Sequence, residues 1–211
     1  IAADVVVVCV GRRANTEDLG LEVLGVKTNK QGLLDVGADL KITPNVAAIG
    51  DITTGPALAH KASTQGHIAA EILSGHSASY APMAIPAVIF SDPEIAMTGL
   101  TAEQATEQGL RVSTAMFPMA ASGRARTMNE SAGLSQLVHT DSGVIVGAQL
   151  VGPHVSEFIA EITLAIEMGA TLEDLAATIH PHPTVSETLV ESALVGLGKP
   201  IHVVAKRPRA K

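Results

Sequence analysis

Aromatic side chains are nearly missing from this sequence. Three phenylalanines (Phe90, Phe117, Phe158), one tyrosine (Tyr80) and no tryptophan occur among 211 residues. A platform on which nucleic-acid bases stack needs more of them. Basic residues are also in the minority, 14 Lys and Arg against 21 Asp and Glu, for a net charge of −7. That balance leaves no large basic surface, so nucleic acid is excluded as the expected partner. Cysteine occurs once, at Cys9, which excludes a disulfide framework and any dithiol redox pair formed within this chain. No uninterrupted apolar stretch reaches the length of a membrane span, so none is expected. The sequence has neither an initial methionine nor a signal-like start. A buried-strand pattern so close to the first residue points to further chain upstream.

What is present is a folding composition, 46% hydrophobic and 17% charged. With so few aromatics, the core rests on Val, Ile, Leu, Ala and Met. The length suits one large domain or two small ones.

The run at 5–10, VVVVCV, reads as a central parallel-type strand with Cys9 buried in it, and Gly11 ends it. Weaker strand signals follow at 33–36 and 45–49, punctuated by Gly32 and Pro44. An Ala-rich helix is expected over 57–73, stopped by Gly75. Residues 76–84 are small, polar or proline-containing and mark a domain boundary. Beyond it an α+β unit is expected. Its strands fall at 87–90, 111–118, 132–139 and 144–151, the last two joined at Asp141-Ser142-Gly143. Thr101-x-x-Gln104 caps a helix over 102–108. Val155, Phe158, Ile159, Ile162, Ala165 and Ile166 repeat with helical period, and Gly169 ends that helix. Thr171-x-x-Asp174 opens a short helix to 177, and Thr184-x-x-Glu187 caps a last one to about 195. The basic tail KRPRAK is expected to be frayed.

His180-Pro181-His182-Pro183-Thr184 is the strongest local oddity. Prolines restrict themselves and the residue before them, so this segment is stiff. Three readings stay open on pattern alone: a rigid turn with solvent-facing histidines, a histidine base held at a fixed angle, or a metal site. Two histidines are too few for the metal, with His202 the only third nearby. Glu187 either reaches back to the Thr184 backbone as a cap or accepts a hydrogen bond from a histidine ring and raises its basicity. Asp51 follows Gly50 at the carboxyl end of a strand, where ligands of α/β sheets bind, or is a turn aspartate. His60 and Lys61 lie just inside the next helix and read as solvated. Glu157, Glu161 and Glu167 read as a wetted helix face. Arg124 and Arg126 sit in a Gly/Ser-rich loop.

Five segments, in order along almost the whole chain, resemble the C-terminal part of the dihydrolipoamide dehydrogenases. They are VGRRANTEDLGLE at 10–22, AIGDITTGPALAHKASTQG at 48–66, IFSDPEIAMTGLT at 89–101, GAQLVGPHVSEFIAEITLAIEMGAT at 147–171 and IHPHPTVSETLVE at 179–191. The resemblance implies an α/β plus α+β fold: residues 1–11 as the last strand of an NAD-binding domain, 12–81 as the end of an FAD-binding domain, and 82–204 as an interface (dimerisation) domain with an antiparallel sheet, before a tail at 205–211. It implies an oxidoreductase that oxidises dihydrolipoamide through a redox disulfide and FAD, passing electrons to NAD.

Residue by residue, the resemblance gives Asp51 the ribityl chain of FAD and places Leu58, Ala59 and His60 at a helix start by the flavin's pyrimidine edge. It makes His182 the acid–base residue, Glu187 its orienting carboxylate, and His180 and Pro183 supporting residues, with His182–Pro183 the expected cis bond. No metal is implied. The implied partners are a second copy of the chain, whose active site His182 enters, and dihydrolipoamide or the lipoyl domain of a 2-oxoacid dehydrogenase complex. The implied location is the cytoplasm.

The family's Gly-rich dinucleotide fingerprint and its redox cysteine pair do not occur in this sequence, so the chain alone is expected to be inactive. Pro181 stands where the family commonly has alanine, and Thr64-Gln65 where it has a more acidic stretch. Glutathione and mercuric reductases are the neighbouring alternatives; the former usually have one histidine in this run, and the latter lack the base. A dimerisation module with an idle histidine loop is the reading from another class. Residues 82–204 are expected to be the more autonomous part, and 1–76 to lack sheet neighbours.

Overall fold

The computed structural model describes residues 1–204. The expected tail at 205–211 lies outside them. The chain divides into two compact units, Ile1–Ala81 and a second beginning at Pro82.

The first unit is sparse in regular structure. Strands β1 (Lys41–Thr43) and β2 (Val46–Ala47) pair antiparallel across a turn at Pro44-Asn45. A 3-10 turn, Gly50–Ile52, leads to helix α1 (Ala59–Leu73). Gly75, at φ +86°, ends that helix as expected. The strand expected at 33–36 reduces to a single bridge, Leu34 to Thr53, with the Leu34 N–H donating to the Ile52 carbonyl at 2.8 Å.

The strand expected at 5–10 does not form. Val5 to Val8 and Val10 are exposed, and so is Cys9. The physical reason is pairing. A parallel strand is stable only between neighbours that take its N–H and C=O groups and cover both faces, and no described strand lies beside this one.

The second unit is a five-stranded antiparallel sheet in the order β3-β4-β7-β6-β5. Its strands are β3 (Ala87–Ile89), β4 (Glu94–Gly99), β5 (Val112–Pro118), β6 (Leu134–Thr140) and β7 (Ile145–Gly152). Directly opposed residues form rows across the sheet. Thr98, Ala148, Leu137 and Ala115 make one such row, all buried. The alternate row, Met97, Gln149, Gln136 and Met116, faces the wetter side. The period of two thus sorts one apolar face from one mixed face.

On the apolar face sit helices α4 (Val155–Glu167), α5 (Leu172–Ala177) and α6 (Glu187–Gly196). Ile159, Ile162 and Ile166 from α4 and Leu189 and Ala193 from α6 meet Leu137, Ala148 and Leu150 in one core. Helix α2 (Ala102–Glu107) opens with the expected capping box, and Thr171 and Asp174 form another at α5.

Two elements of this unit are not readable as expected. Strand β4 puts Ala96 and Thr98 on the buried face, so its alternation carries little hydrophobic contrast. Helix α3 (Gly123–Thr127) replaces the expected loop. Five residues are too few to show a period, and only the Ser122 side chain, accepting from the Ala125 N–H at 3.3 Å, announces it. Glycine is required by close approach at Gly147, where a Cβ would stand 1.9 Å from the Leu100 carbonyl oxygen.

Candidate functional site

The His-Pro loop and the start of α6 build one site. His182–Pro183 is cis. The His182 ring is 79% exposed, and its Nδ1 lies 2.9 Å from Glu187 Oε1. The other oxygen of the same carboxylate accepts the Thr184 N–H at 2.7 Å. Both roles weighed for Glu187 are therefore filled at once. The expected capping box is only half formed, because Thr184 Oγ1 donates to the Pro181 carbonyl at 2.8 Å instead of capping the helix. Ser186 occupies the N-cap position.

A carboxylate on Nδ1 leaves Nε2 to exchange a proton with whatever stands before the ring. Burial pushes the Glu187 carboxyl up. The Thr184 N–H, the His182 hydrogen bond and the charges of His182 and His180 outweigh it, so the carboxyl sits below its ordinary range. Glu187 stays ionised beside the ring it orients.

His180 is held differently. Its side chain is 6% exposed, with Nε2 2.8 Å from Glu161 Oε1 and Nδ1 3.0 Å from the Thr178 carbonyl. Both ring nitrogens face oxygen acceptors, which fixes the ring in place. The Glu157, Glu161 and Glu167 face is wetted as expected at Glu157 and Glu167, which are exposed, whereas Glu161 is half-buried and paired; Glu167 also accepts the Met83 N–H at 2.7 Å. Helix periodicity reports which face is polar, not which polar residues find partners. Pro183 follows the cis bond, between His182 and Thr184.

In the first unit the structure places Asp51 on the 3-10 turn, half exposed, with its Oδ2 3.8 Å from Arg12 Nη1. Arg12 also donates to the Ala57 carbonyl at 3.1 Å. Arg12, Asp51, Gly55 and Ala57 share the wall of a cleft of about 490 Å³. Leu58 is the N-cap of α1 and offers no side-chain cap, and Ala59 and His60 form the first turn. They lie at the positive end of the helix dipole, with the Leu58 N–H donating to the Pro56 carbonyl at 3.1 Å.

Two residues that fix this turn were not foreseen. Lys61 is buried rather than solvated, and its Nζ donates to the Gly50 carbonyl at 3.2 Å and to Thr53 Oγ1 at 3.1 Å. Burial pulls its ammonium below the ordinary lysine value, while Asp51 pushes back. Gln65, one turn on, accepts the Gly50 N–H at 2.7 Å. The i, i+4 spacing of a cation and an amide on an otherwise Ala-rich helix was the available signal.

Among the described residues, no helix is long and apolar enough to cross a membrane, and no group of three or more His, Cys, Asp or Glu side chains is placed to hold a metal ion.

A five-stranded antiparallel sheet with helices packed on one face fits a known dimerisation domain. The pyridine nucleotide-disulphide oxidoreductase dimerisation domain matches residues 85–193, and the pyridine nucleotide-disulphide oxidoreductase model matches residues 1–66. The chain belongs to the pyridine nucleotide-disulphide oxidoreductase family.

Within it, the chain is 51% identical to the dihydrolipoyl dehydrogenase of Geobacillus stearothermophilus, over 98% of this chain and 44% of the relative. It is 47% identical to that of Bacillus subtilis, over 97% and 44%. The crystal structure of LpdA from Mycobacterium tuberculosis superposes with a TM-score of 0.78 at 29% identity, over 86% of this chain and 40% of that one. The HOCl-induced flavoprotein disulfide reductase RclA from Escherichia coli gives 0.76 at 28%, over 85% and 42%. The chain spans less than half the length of the curated relatives it matches.

Proposed function

We propose that this chain is the C-terminal part of a dihydrolipoamide dehydrogenase, a homodimeric cytoplasmic flavoprotein that oxidises dihydrolipoamide and passes the electrons to NAD. Residues 1–11 then complete the NAD-binding domain, 12–81 close the FAD-binding domain, and the segment from 82 to 204 forms the interface. The observation that carries the reading is the Glu187–His182 pair. Its ring is oriented by a carboxylate, open to solvent and held on a stiff loop. Identities near 50% to dihydrolipoyl dehydrogenases, against 28% to the flavoprotein disulfide reductase RclA, favour dihydrolipoamide as the substrate.

The chemistry asked of His182 is proton transfer. A thiol of ordinary acidity is mostly protonated at neutral pH and is a weak nucleophile in that form. His182 Nε2 takes that proton, and the thiolate attacks a disulfide contributed by the rest of the protein. Glu187 holds the ring in the tautomer with Nε2 free and stabilises the imidazolium. His180 and Pro183 keep the loop in place.

The residues of the first unit suit a flavin. An exposed carboxylate at Asp51 accepts hydrogen bonds from ribityl hydroxyls. The start of α1, at Leu58, Ala59 and His60, would place the positive end of the helix dipole by the flavin's pyrimidine edge and favour negative charge there. Bound there, FAD supplies two-electron transfer between the dithiol and NAD.

Exposed Leu164 on α4, Met168 at its C-cap, and Ile179 beside the His-Pro loop give an apolar surface. A second copy covering it brings each His182 to its partner's dithiol, whether that is free dihydrolipoamide or the lipoyl domain of a 2-oxoacid dehydrogenase complex. The test is His182→Gln in the complete flavoprotein. The expected result is a fall of about 10²- to 10⁴-fold in dihydrolipoamide oxidation, with the flavin absorbance unchanged. Undiminished activity would overturn the reading.

A further inference from the structure

A third histidine–carboxylate pair, besides His182–Glu187 and His180–Glu161, lies in the same unit, and the reading above leaves it unused. Glu191 is one turn beyond Glu187 on α6, and side chains four apart share a helix face. Its Oε1 stands 2.7 Å from His202 Nδ1. The two ends differ in setting. Glu191 is 9% exposed, whereas the His202 side chain is 64% exposed. Glu191 Oε2 and Thr188 Oγ1 are buried without a hydrogen-bond partner among the described residues.

Both residues line a cavity of about 220 Å³, and His182, Glu187, Arg126 and His202 line it too. One space therefore touches two of the three histidine–carboxylate pairs, His182–Glu187 and His202–Glu191. An unpaired carboxylate oxygen buried behind this wall is costly, which leaves the Glu191 charge to be compensated through its other oxygen by His202.

We propose that Glu191 and His202 are positioning residues: a further proton-holding pair that acts across this cavity on the charge His182 carries. The inference rests on the proposed role of His182 as the base. With His202 protonated the pair is neutral, and His182 sees little of it. When His202 releases its proton to solvent, the Glu191 carboxylate stands uncompensated. Its field then favours the protonated ring of His182. The charged groups facing the cavity are Arg126 from α3, Glu187 and Glu191 from α6, His182 from the preceding loop and His202 from the segment after α6. Arg126 opposes Glu191, and Glu187 reinforces it. His202, the exposed member, is where solvent pH enters.

The test uses the complete flavoprotein homodimer and a readout independent of turnover. Diethyl pyrocarbonate modifies neutral imidazole, so its rate at His182 against pH, followed by peptide mass spectrometry, gives the protonation midpoint of that ring. Glu191→Gln removes the negative charge and is expected to lower the midpoint. His202→Gln removes the compensating positive charge and is expected to raise it. Each shift should be about half a pH unit, the scale of a unit charge acting across a partly wet space. Glu191→Asp keeps the charge and should leave the midpoint near that of the parent. A merely structural role predicts no shift, or two shifts of one sign, and either result overturns the proposal. Because His202 is a surface side chain, the His202→Gln arm decides the matter even where Glu191→Gln does not fold. If His182→Gln leaves thiol oxidation intact, the reading of the base fails, while these midpoints still report whether the pairs are coupled.

Discussion

The two units face one requirement, burial of apolar surface, and meet it differently. In the second unit every strand of the sheet has a partner, and the rows built on Leu137, Ala148 and Leu150 lie under α4 and α6. In the first unit the most hydrophobic stretch of the sequence, Val5 to Val10, is exposed, while the buried positions are Leu34, Leu40, Ala48, Thr53, Lys61, Gln65 and Ala69. Thr53, Lys61 and Gln65 sit inside with a few Leu and Ala, and the valines sit outside. Hydrophobicity is a property of a segment, whereas burial is a property of its neighbours. A run of valines makes no core without strands on either side.

The largest effect should come from separating the units. Residues 82–204 expressed alone are expected to melt cooperatively, and residues 1–81 alone to show no cooperative transition by circular dichroism. A sharp melt of 1–81 would abolish the contrast.

Next in size is Leu137→Ala, at the centre of the buried row. It should cost the second unit about 2–5 kcal/mol in urea unfolding. A loss well below that range would mean the layer under α4 and α6 is loosely packed.

Smaller still is the acid response of the same unit. The Glu187 carboxyl lies below its unfolded value, so its contribution to stability is complete above the ordinary glutamate range and is lost as pH falls through the folded value. Glu187→Gln should flatten that acid limb in melts taken against pH. A limb of unchanged steepness would assign the acid sensitivity to other carboxyls. The smallest effect is predicted for Val7→Thr, which should change the stability of the chain by less than about 0.5 kcal/mol, because nothing covers the side chain.

The same contrast explains what was legible beforehand. Helix α4 could be read because its apolar positions recur at the helical period and a glycine ends it. The β6–β7 hairpin could be read from its turn. Both signals are local. Strand β4 was hidden because the residues it buries, Ala96 and Thr98, are small or polar. The strand at 5–10 was legible as a pattern and absent as a structure, because its partners are not described strands of this chain.

At the histidine loop, residue types and spacing were visible, but the sharing of one carboxylate between a ring and a backbone amide was not. That depends on the fold of the helix start. Lys61 and Gln65 were hidden for the opposite reason: polar residues are expected outside, and these two are buried by the backbone turn they hold.

Glu187 has a mechanical consequence as well. Its two oxygens grip the ring of His182 and the amide of Thr184, while its own backbone begins α6. Farther along, α6 is pinned to the sheet by Leu189, by Ala193 and by the Ser192 hydroxyl donating to the Ser135 carbonyl. Ring, loop and helix therefore move as a single lever seated on β6. A core substitution that tilts α6 is transmitted to the imidazole without slack, so the aim of the ring is set as much by the strand beneath it as by the loop that carries it.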